Sequence, residues 1–187
     1  GTNNTKLYNR ILSIKDNGRN LLKLKKISYK GTFNYIHDFI GNNYRMTEMQ
    51  AILGVTQLKD LDFNIRQRNK NANVLNSQFK KLKNIFILDT NKEKTNSYYR
   101  YYFFVKKRTN QKILIDKIRS KGIDCMAGSC PEIYLEKYFK NKFNIKRLPN
   151  AKYLGERSIC LKVDQTISAK LIKEHAKIIK KEIISLV

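Results

Sequence analysis

The chain is 187 residues long, 41% apolar and 29% charged, enough for one ordinary hydrophobic core and an expectation of one domain or one and a half. Its 39 Lys and Arg against 15 Asp and Glu give a formal net charge of +24, which suits nucleic acid or an anionic surface where the charge is clustered. The charge is instead spread in short pairs such as Lys25-Lys26, Lys80-Lys81, Lys106-Lys107 and Lys180-Lys181 among abundant Asn and Ile, so it reads first as solvated background.

Thr5 to Lys15 places Leu7, Ile11, Leu12 and Ile14 near helical spacing and stops at Asn17-Gly18, which predicts a short amphipathic helix. From Arg19 to Ile40 the pattern is irregular, with Tyr29, Phe33, Tyr35 and Phe39 among lysines and Gly31, and reads as a long loop with a short strand. His37 in this loop is taken as structural.

The most informative stretch follows. Asn42, Asn43, Tyr44 and Arg45 precede a helix start marked by Thr47 and, three residues on, Gln50, the spacing of a capping box. Amide, phenol and guanidinium groups thus sit beside free backbone N–H groups and the positive end of a helix dipole, which favours an anion such as phosphate. Glu48 in the first turn already complements that dipole, so spacing alone leaves two readings open: an anion site, or a well-capped helix with a polar lead-in. From Thr47 to Leu82 no proline interrupts a pattern in which Met49, Ile52, Leu53, Leu58, Leu61, Ile65, Val74, Leu75, Phe79 and Leu82 line one drifting stripe. The expectation is one bent helix or two consecutive ones, with Gly54 and the Asp60–Asp62 region permitting the bend.

Beyond it the period changes. Ile85 to Leu88 and Ser97 to Val105 read as strands, Asn110 opens a helix ending at Lys121-Gly122, and Ile123 to Met126 is a further strand, a βαβ-like or split α/β unit. The aromatic run Tyr98 to Val105 raises base stacking as a rival function; lacking a glycine–aromatic RNA-binding pattern, it reads as a core strand, with a basic nucleic-acid-binding module as the alternative. Tyr134 to Phe139 and Pro149 to Ser158 are short helices, Ile159 to Leu161 a final strand, and Ser168 caps a last helix with Leu171, Ile172, Ile179, Ile183 and Leu186 on its apolar side. Cys125, Cys130 and Cys160, with no CxxC pair and with His37 and His175 distant in sequence, read as reduced thiols and not as metal ligands or a Cys–His nucleophile. No apolar run approaches a bilayer span and no signal peptide is visible, so a soluble, cytoplasmic chain without a membrane partner is expected.

Gly41-Asn42-Asn43-Tyr44-Arg45-Met46-Thr47-Glu48-Met49-Gln50-Ala51-Ile52-Leu53-Gly54, with Gln57-Leu58, Leu61-Asp62 and Arg66-Gln67-Arg68 behind it, closely resembles the glycine–x–Asn–Tyr–Arg–Met segment of the DegT/DnrJ/StrS family of pyridoxal-phosphate-dependent nucleotide-sugar aminotransferases. Gly122 to Cys125 with Gly128 to Lys137, and Leu148 to Glu156, resemble later segments of that family in the same order. The resemblance implies an α/β chain: the end of the large cofactor domain of a fold-type-I aminotransferase at 1–58, a linking helix at 59–82, and a small C-terminal α/β domain with a short sheet at 83–187. It also implies a homodimer that uses pyridoxal 5′-phosphate to move an amino group from a donor such as glutamate onto a keto-sugar nucleotide in cell-surface amino-sugar biosynthesis. By the same resemblance Asn43 reaches the cofactor phosphate of the partner subunit, Arg45 and Tyr44 support or join that contact, and Ser129 touches the sugar. The lysine that carries the cofactor lies upstream in the family and no lysine here sits in its motif, so the chain is expected to be the C-terminal portion of the enzyme, inactive by itself. Asp164-Gln165 stands where the family commonly has His-Pro, which implies a less rigid turn.

Overall fold

A computed structural model describes residues 1–27, 35–88, 96–128 and 132–186. It divides the chain into two units, Gly1–Lys59 and Asp60–Val187.

In the first unit, helix α1 (Thr5–Lys15) starts where the Asn4 side chain accepts the Leu7 N–H at 3.0 Å. It ends as expected: Asn17 and Gly18 both have positive φ, and the Gly18 N–H donates to the Ser13 carbonyl at 2.8 Å. The segment read as a loop contains a second helix, α2 (Leu21–Lys25), capped by Asn20, whose side chain accepts the N–H groups of Leu22 and Lys23. Five residues are too few to show a period, so only the cap could have marked it. Asp38 fixes α2 from outside through the Lys23 ammonium and the Asn20 amide, both at 2.6 Å. The Lys23 contact first, then the amide, holds the Asp38 carboxyl below its ordinary range.

The long helical pattern is two helices, α3 (Glu48–Lys59) and α4 (Leu61–Phe79). The expected single stripe does not exist. Leu75 and Phe79 of α4 are buried, whereas Met49, Ile52, Leu53 and Leu58 of α3 are exposed and no residue of α3 is buried.

In the second unit four strands, β1 (Ile85–Phe86), β2 (Tyr101–Val105), β3 (Cys125–Ala127) and β4 (Ser158–Leu161), form an antiparallel sheet in the order β1-β2-β4-β3. Because β2 and β3 both run antiparallel to the strand between them, β2, helix α5 (Asn110–Ser120) and β3 form the expected split unit. Pairing of Tyr101 with Leu161 and Phe103 with Ile159 sets these side chains on one face. They meet Ala72, Leu75 and Phe79 of α4, Leu114 and Ile118 of α5, and Ile172, Ala176, Ile179 and Ile183 of α8 (Ala169–Ile184). The Phe79 ring stands 6.1 Å from Tyr101 and 5.6 Å from Phe103. Residues 59–82, read as a linker, thus supply part of a core.

β2 begins later than the sequence suggests because the Tyr98 N–H donates to the Asn96 side chain at 2.9 Å and Tyr98 takes a positive φ, a turn that no strand tolerates. Its aromatic residues do not form a bare stacking platform: Tyr101 and Phe103 lie in the core, and Phe104 stacks on Phe86 at 5.0 Å.

The Asp164-Gln165 turn is held from α4. The Asn71 amide, in a side chain 5% exposed, donates to the carbonyls of Val163, Asp164 and Ile167 at 3.4, 3.0 and 3.3 Å. Arg68 adds a 3.0 Å bond to Gln165, and Thr166 holds the Asp164 carboxylate, keeping its pKa low. Asn71→Leu should therefore cost roughly 1–3 kcal/mol, the price of leaving buried carbonyls unmatched, read as a lower urea midpoint without a change of slope.

Between β3 and β4 in the chain come one turn of 3-10 helix (Ile133–Leu135), α6 (Lys137–Lys142) and α7 (Pro149–Gly155). The helix expected over Tyr134–Phe139 is thus split between the 3-10 turn and α6, and that expected over Pro149–Ser158 stops at Gly155, freeing Ser158 for β4. Ser168 caps α8 as expected, accepting the Leu171 N–H at 3.2 Å.

Candidate functional site

The loop between Phe39 and Thr47 is laid against the end of α1. The Asn42 N–H donates to Ile14 O at 2.9 Å, the Asn17 N–H to Asn42 O at 3.2 Å and the Tyr44 N–H to Lys15 O at 3.0 Å. Two glycines permit this approach. A Cβ on Gly18 would fall 1.6 Å from the Phe39 carbonyl oxygen, and one on Gly41 would fall 2.3 Å from the Gly18 nitrogen.

An ion pair fastens the loop. The Arg45 guanidinium reaches Asp16, a carboxylate only 6% exposed, at 2.5 Å, and Arg19 approaches the same oxygen at 3.3 Å. Two cations thereby offset the one buried anion. Sequence reading missed Asp16; its partner lies 29 residues away, a separation with no periodic signature.

Asn43, Tyr44 and Arg45 come together on this loop and all three are exposed. The Asn43 Oδ1 accepts the Arg45 N–H at 3.2 Å, which orients the amide. Its NH2 group makes no hydrogen bond among the described residues. The Asn42 amide lies 3.5 Å from the Tyr44 hydroxyl, and the Arg45 side chain, 57% exposed, has N–H groups beyond the one on Asp16. An oriented, uncommitted amide donor beside a guanidinium is a donor set that fits a phosphate.

The capping box forms behind it. The Thr47 N–H donates to Gln50 Oε1 at 2.9 Å and the Gln50 N–H to Thr47 Oγ1 at 3.2 Å. Both groups of the box are occupied with each other, so the anion-binding capacity of this region lies in the loop side chains.

Other candidates fall elsewhere. Ser129, with Cys130 and Pro131, lies outside the described residues, as do Tyr29, Gly31 and Phe33. Cys125 pairs with Leu161 and Cys160 with Met126, so the two thiols occupy opposite faces of the sheet. Burial raises both, Cys125 to about 11, which keeps them protonated and poor nucleophiles near neutral pH. His37 is an exposed residue bridged through its backbone to Arg19. His175 sits on α8, its pKa lowered by burial.

A second polar cluster anchors the excursion between β3 and α7. Arg147 grips Glu132 through two bonds of 2.8 and 2.6 Å, the Tyr134 hydroxyl donates to the same carboxylate at 2.7 Å, and Arg147 reaches Glu156 at 3.4 Å. The Arg147 bonds first, then Tyr134, pull the Glu132 carboxyl from its ordinary 4.5 down to about 2. A depressed carboxylate pKa stabilises at and above the unfolded value and is lost as pH falls through the folded one. This latch should therefore hold undiminished down to about pH 4.5 and open between there and about pH 2, seen as hydrogen exchange rising at the Leu148 amide, whose N–H bonds Tyr134. Arg147→Met should raise exchange at that amide already at neutral pH.

The family model of the DegT/DnrJ/EryC1/StrS aminotransferases matches residues 2–180. Among solved structures, the aminotransferase from Psychrobacter cryohalolentis is 28% identical, with a TM-score of 0.81 over 99% of this chain and 51% of its own. PseC of Helicobacter pylori, an aminotransferase involved in the biosynthesis of pseudoaminic acid, shares the fold at 23% identity, with a TM-score of 0.82 over 99% of this chain and 48% of its own. The GDP-4-keto-6-deoxy-D-mannose 3-dehydratase of Escherichia coli O55:H7 is 29% identical over 135 residues, 66% of this chain and 34% of that protein. The chain thus spans about half the length of the two solved relatives.

Proposed function

The chain belongs to the DegT/DnrJ/EryC1/StrS aminotransferase family, and from that premise we propose that it is the C-terminal portion of a pyridoxal-phosphate-dependent enzyme that aminates a keto-sugar nucleotide. The observation that carries this reading is the loop pinned at Asp16, which presents the oriented Asn43 amide with its NH2 group uncommitted.

In a dimer of complete subunits, Asn43 holds the cofactor phosphate bound in the partner subunit, Arg45 adds positive charge while its Asp16 contact keeps the loop in register, and Tyr44 flanks them. The electron sink that amino transfer requires is the chemistry pyridoxal phosphate supplies when bound. This chain's contribution is to grip and orient the phosphate end, since positioned charge and hydrogen bonds are how such a site accelerates the reaction. Ser129 is assigned to the sugar, glutamate is the amino donor, and the product enters cell-surface amino-sugar biosynthesis. The keto-sugar nucleotide assignment draws support from the E. coli relative, whose name is that of an enzyme acting on a GDP-linked keto sugar.

The test compares the 187-residue chain with the same chain joined to the part of the Psychrobacter aminotransferase that it does not match. The short form should neither retain pyridoxal phosphate through gel filtration nor transfer an amino group, and the joined form should retain the cofactor with its visible absorption. Retention by the short form, or a folded joined form that remains colourless, would reject the reading.

A further inference from the structure

Lysines scattered along the sequence are gathered in space at one side of the second unit. Helices α4 and α8 lie together and run the same way: Asn71 bonds the turn that precedes α8, and near both C-terminal ends the Lys180 ammonium donates to the Gln78 side-chain oxygen at 3.3 Å. Asn84, just beyond α4, bonds the carbonyls of Ile183 and Leu186 at 3.2 and 2.9 Å. The exposed Lys80, Lys81 and Lys83 therefore adjoin the end of α8.

On α8 itself, at about 100° per residue, Lys180, Lys173, Lys177, Lys170 and Lys181 fall within an arc of about 100° turned away from the buried Ile172, Ile179 and Ile183. All but Lys180 are exposed. Lys177, Lys180 and Lys181 border, with Gln78 and Ile184, one depression of about 280 Å³.

Their counter-ions are missing. Elsewhere in this unit carboxylates accompany cations: Asp124 meets Lys162, Glu132 meets Arg147, and Glu182 on α8 meets Lys117. Among the described residues none of the eight gathered lysines has an ion pair, and on α8 only Glu174 lies beside their arc. The two helix C-termini carry about half a negative charge each, which offsets about one lysine. The remaining like charges repel one another, so the arrangement costs stability until an external anion meets it.

We propose that this face of the second unit seats on an anionic lipid surface, the lysines meeting phosphate headgroups and Ile184, 55% exposed, entering the boundary beneath them. Nucleic acid is the weaker occupant. The cations are all lysines, point charges without the guanidinium fork that reads base edges, and the apolar residue among them is an isoleucine, not a ring on which bases stack. Such adhesion requires no spanning helix, and among the described residues no helix is long and apolar enough to be one. It departs from the sequence expectation of no membrane partner and is independent of amino-transfer chemistry.

The 187-residue chain is sedimented with vesicles of phosphatidylcholine mixed with phosphatidylglycerol, and with vesicles of phosphatidylcholine alone. It should bind the mixed vesicles at about 0.15 M salt and leave them at about 1 M, where the screening length falls from roughly 8 to 3 Å. Replacing Lys173, Lys177 and Lys181 by glutamine should weaken binding about a hundredfold, at about fivefold per lysine. Arginine at the same three positions should preserve it. Glutamine at Lys137, Lys140 and Lys146, which removes equal charge from exposed positions on and after α6, should change it by less than about twofold. Equal losses in the two glutamine variants, loss with arginine, equal binding to uncharged vesicles, or no binding at about 0.15 M salt would each overturn the proposal. So would duplex DNA that binds more tightly than the vesicles per phosphate and loses affinity with the same three lysines, which would assign the face to nucleic acid.

Discussion

Replacing Phe79 by alanine is expected to lower the stability of the second unit by about 3–5 kcal/mol, the usual cost of removing a large aromatic from a packed core. Phe79 is 1% exposed and its ring contacts those of Tyr101 and Phe103. Truncation would empty the space where α4 meets the sheet, and neither a strand nor a helix anchored by the Asn71 bonds can move in to fill it. Since whole domains are stable by only about 5–15 kcal/mol, this one change removes a large share. Urea unfolding followed by far-ultraviolet circular dichroism measures it. A loss below about 1.5 kcal/mol would mean that α4 is a connector lying on the unit instead of part of its core.

The second large effect concerns cofactor retention. In the chain joined to the part of the Psychrobacter aminotransferase that it does not match, Asn43→Ala should weaken pyridoxal phosphate binding by about 1.5–3 kcal/mol, the worth of a hydrogen bond to a charged group, which is roughly a 10- to 150-fold rise in dissociation constant. The fold should survive, because Asn43 is exposed and among the described residues its side chain bonds only the local Arg45 N–H. Asn43→Asp separates the two duties of the amide. It keeps the oxygen that accepts the Arg45 N–H but replaces the donor by a negative charge facing the phosphate. Aspartate should therefore bind cofactor no better than alanine; recovery with aspartate would assign Asn43 to shaping the loop, with no contact to phosphate.

How legible this was depended on the range of each interaction. Signals settled within one turn of chain were readable: the Thr47–Gln50 box, the Ser168 cap, the Asn17-Gly18 stop and the left-handed Gly122 after α5. The split unit was readable because the period changes between Phe103 and Leu114. What escaped was set at long range or by too few residues. Asp16 meets Arg45, and Asn71 meets the carbonyls near Asp164, across separations that leave no local pattern. Helix α2 rests on one capping asparagine, and the start of β2 on a turn at Tyr98 that a run of tyrosines conceals. The error over α3 was different in kind. Apolar residues of α3 were taken to form one stripe with those of α4, whereas no residue of α3 is buried. Of the candidate site, residue types and order were visible in sequence; which groups are tied down and which are left to bind something else required coordinates.

The central claim is that this chain completes an enzyme that puts an amino group on a keto-sugar nucleotide, and isotopically labelled glutamate tests it most directly. Given the joined protein, pyridoxal phosphate and a GDP-linked 4-keto sugar, the label should appear on the sugar carbon that bore the carbonyl. A sugar product that has lost water and carries no label, from protein that has bound the cofactor, would contradict the account and place the chain with dehydratases of the same fold.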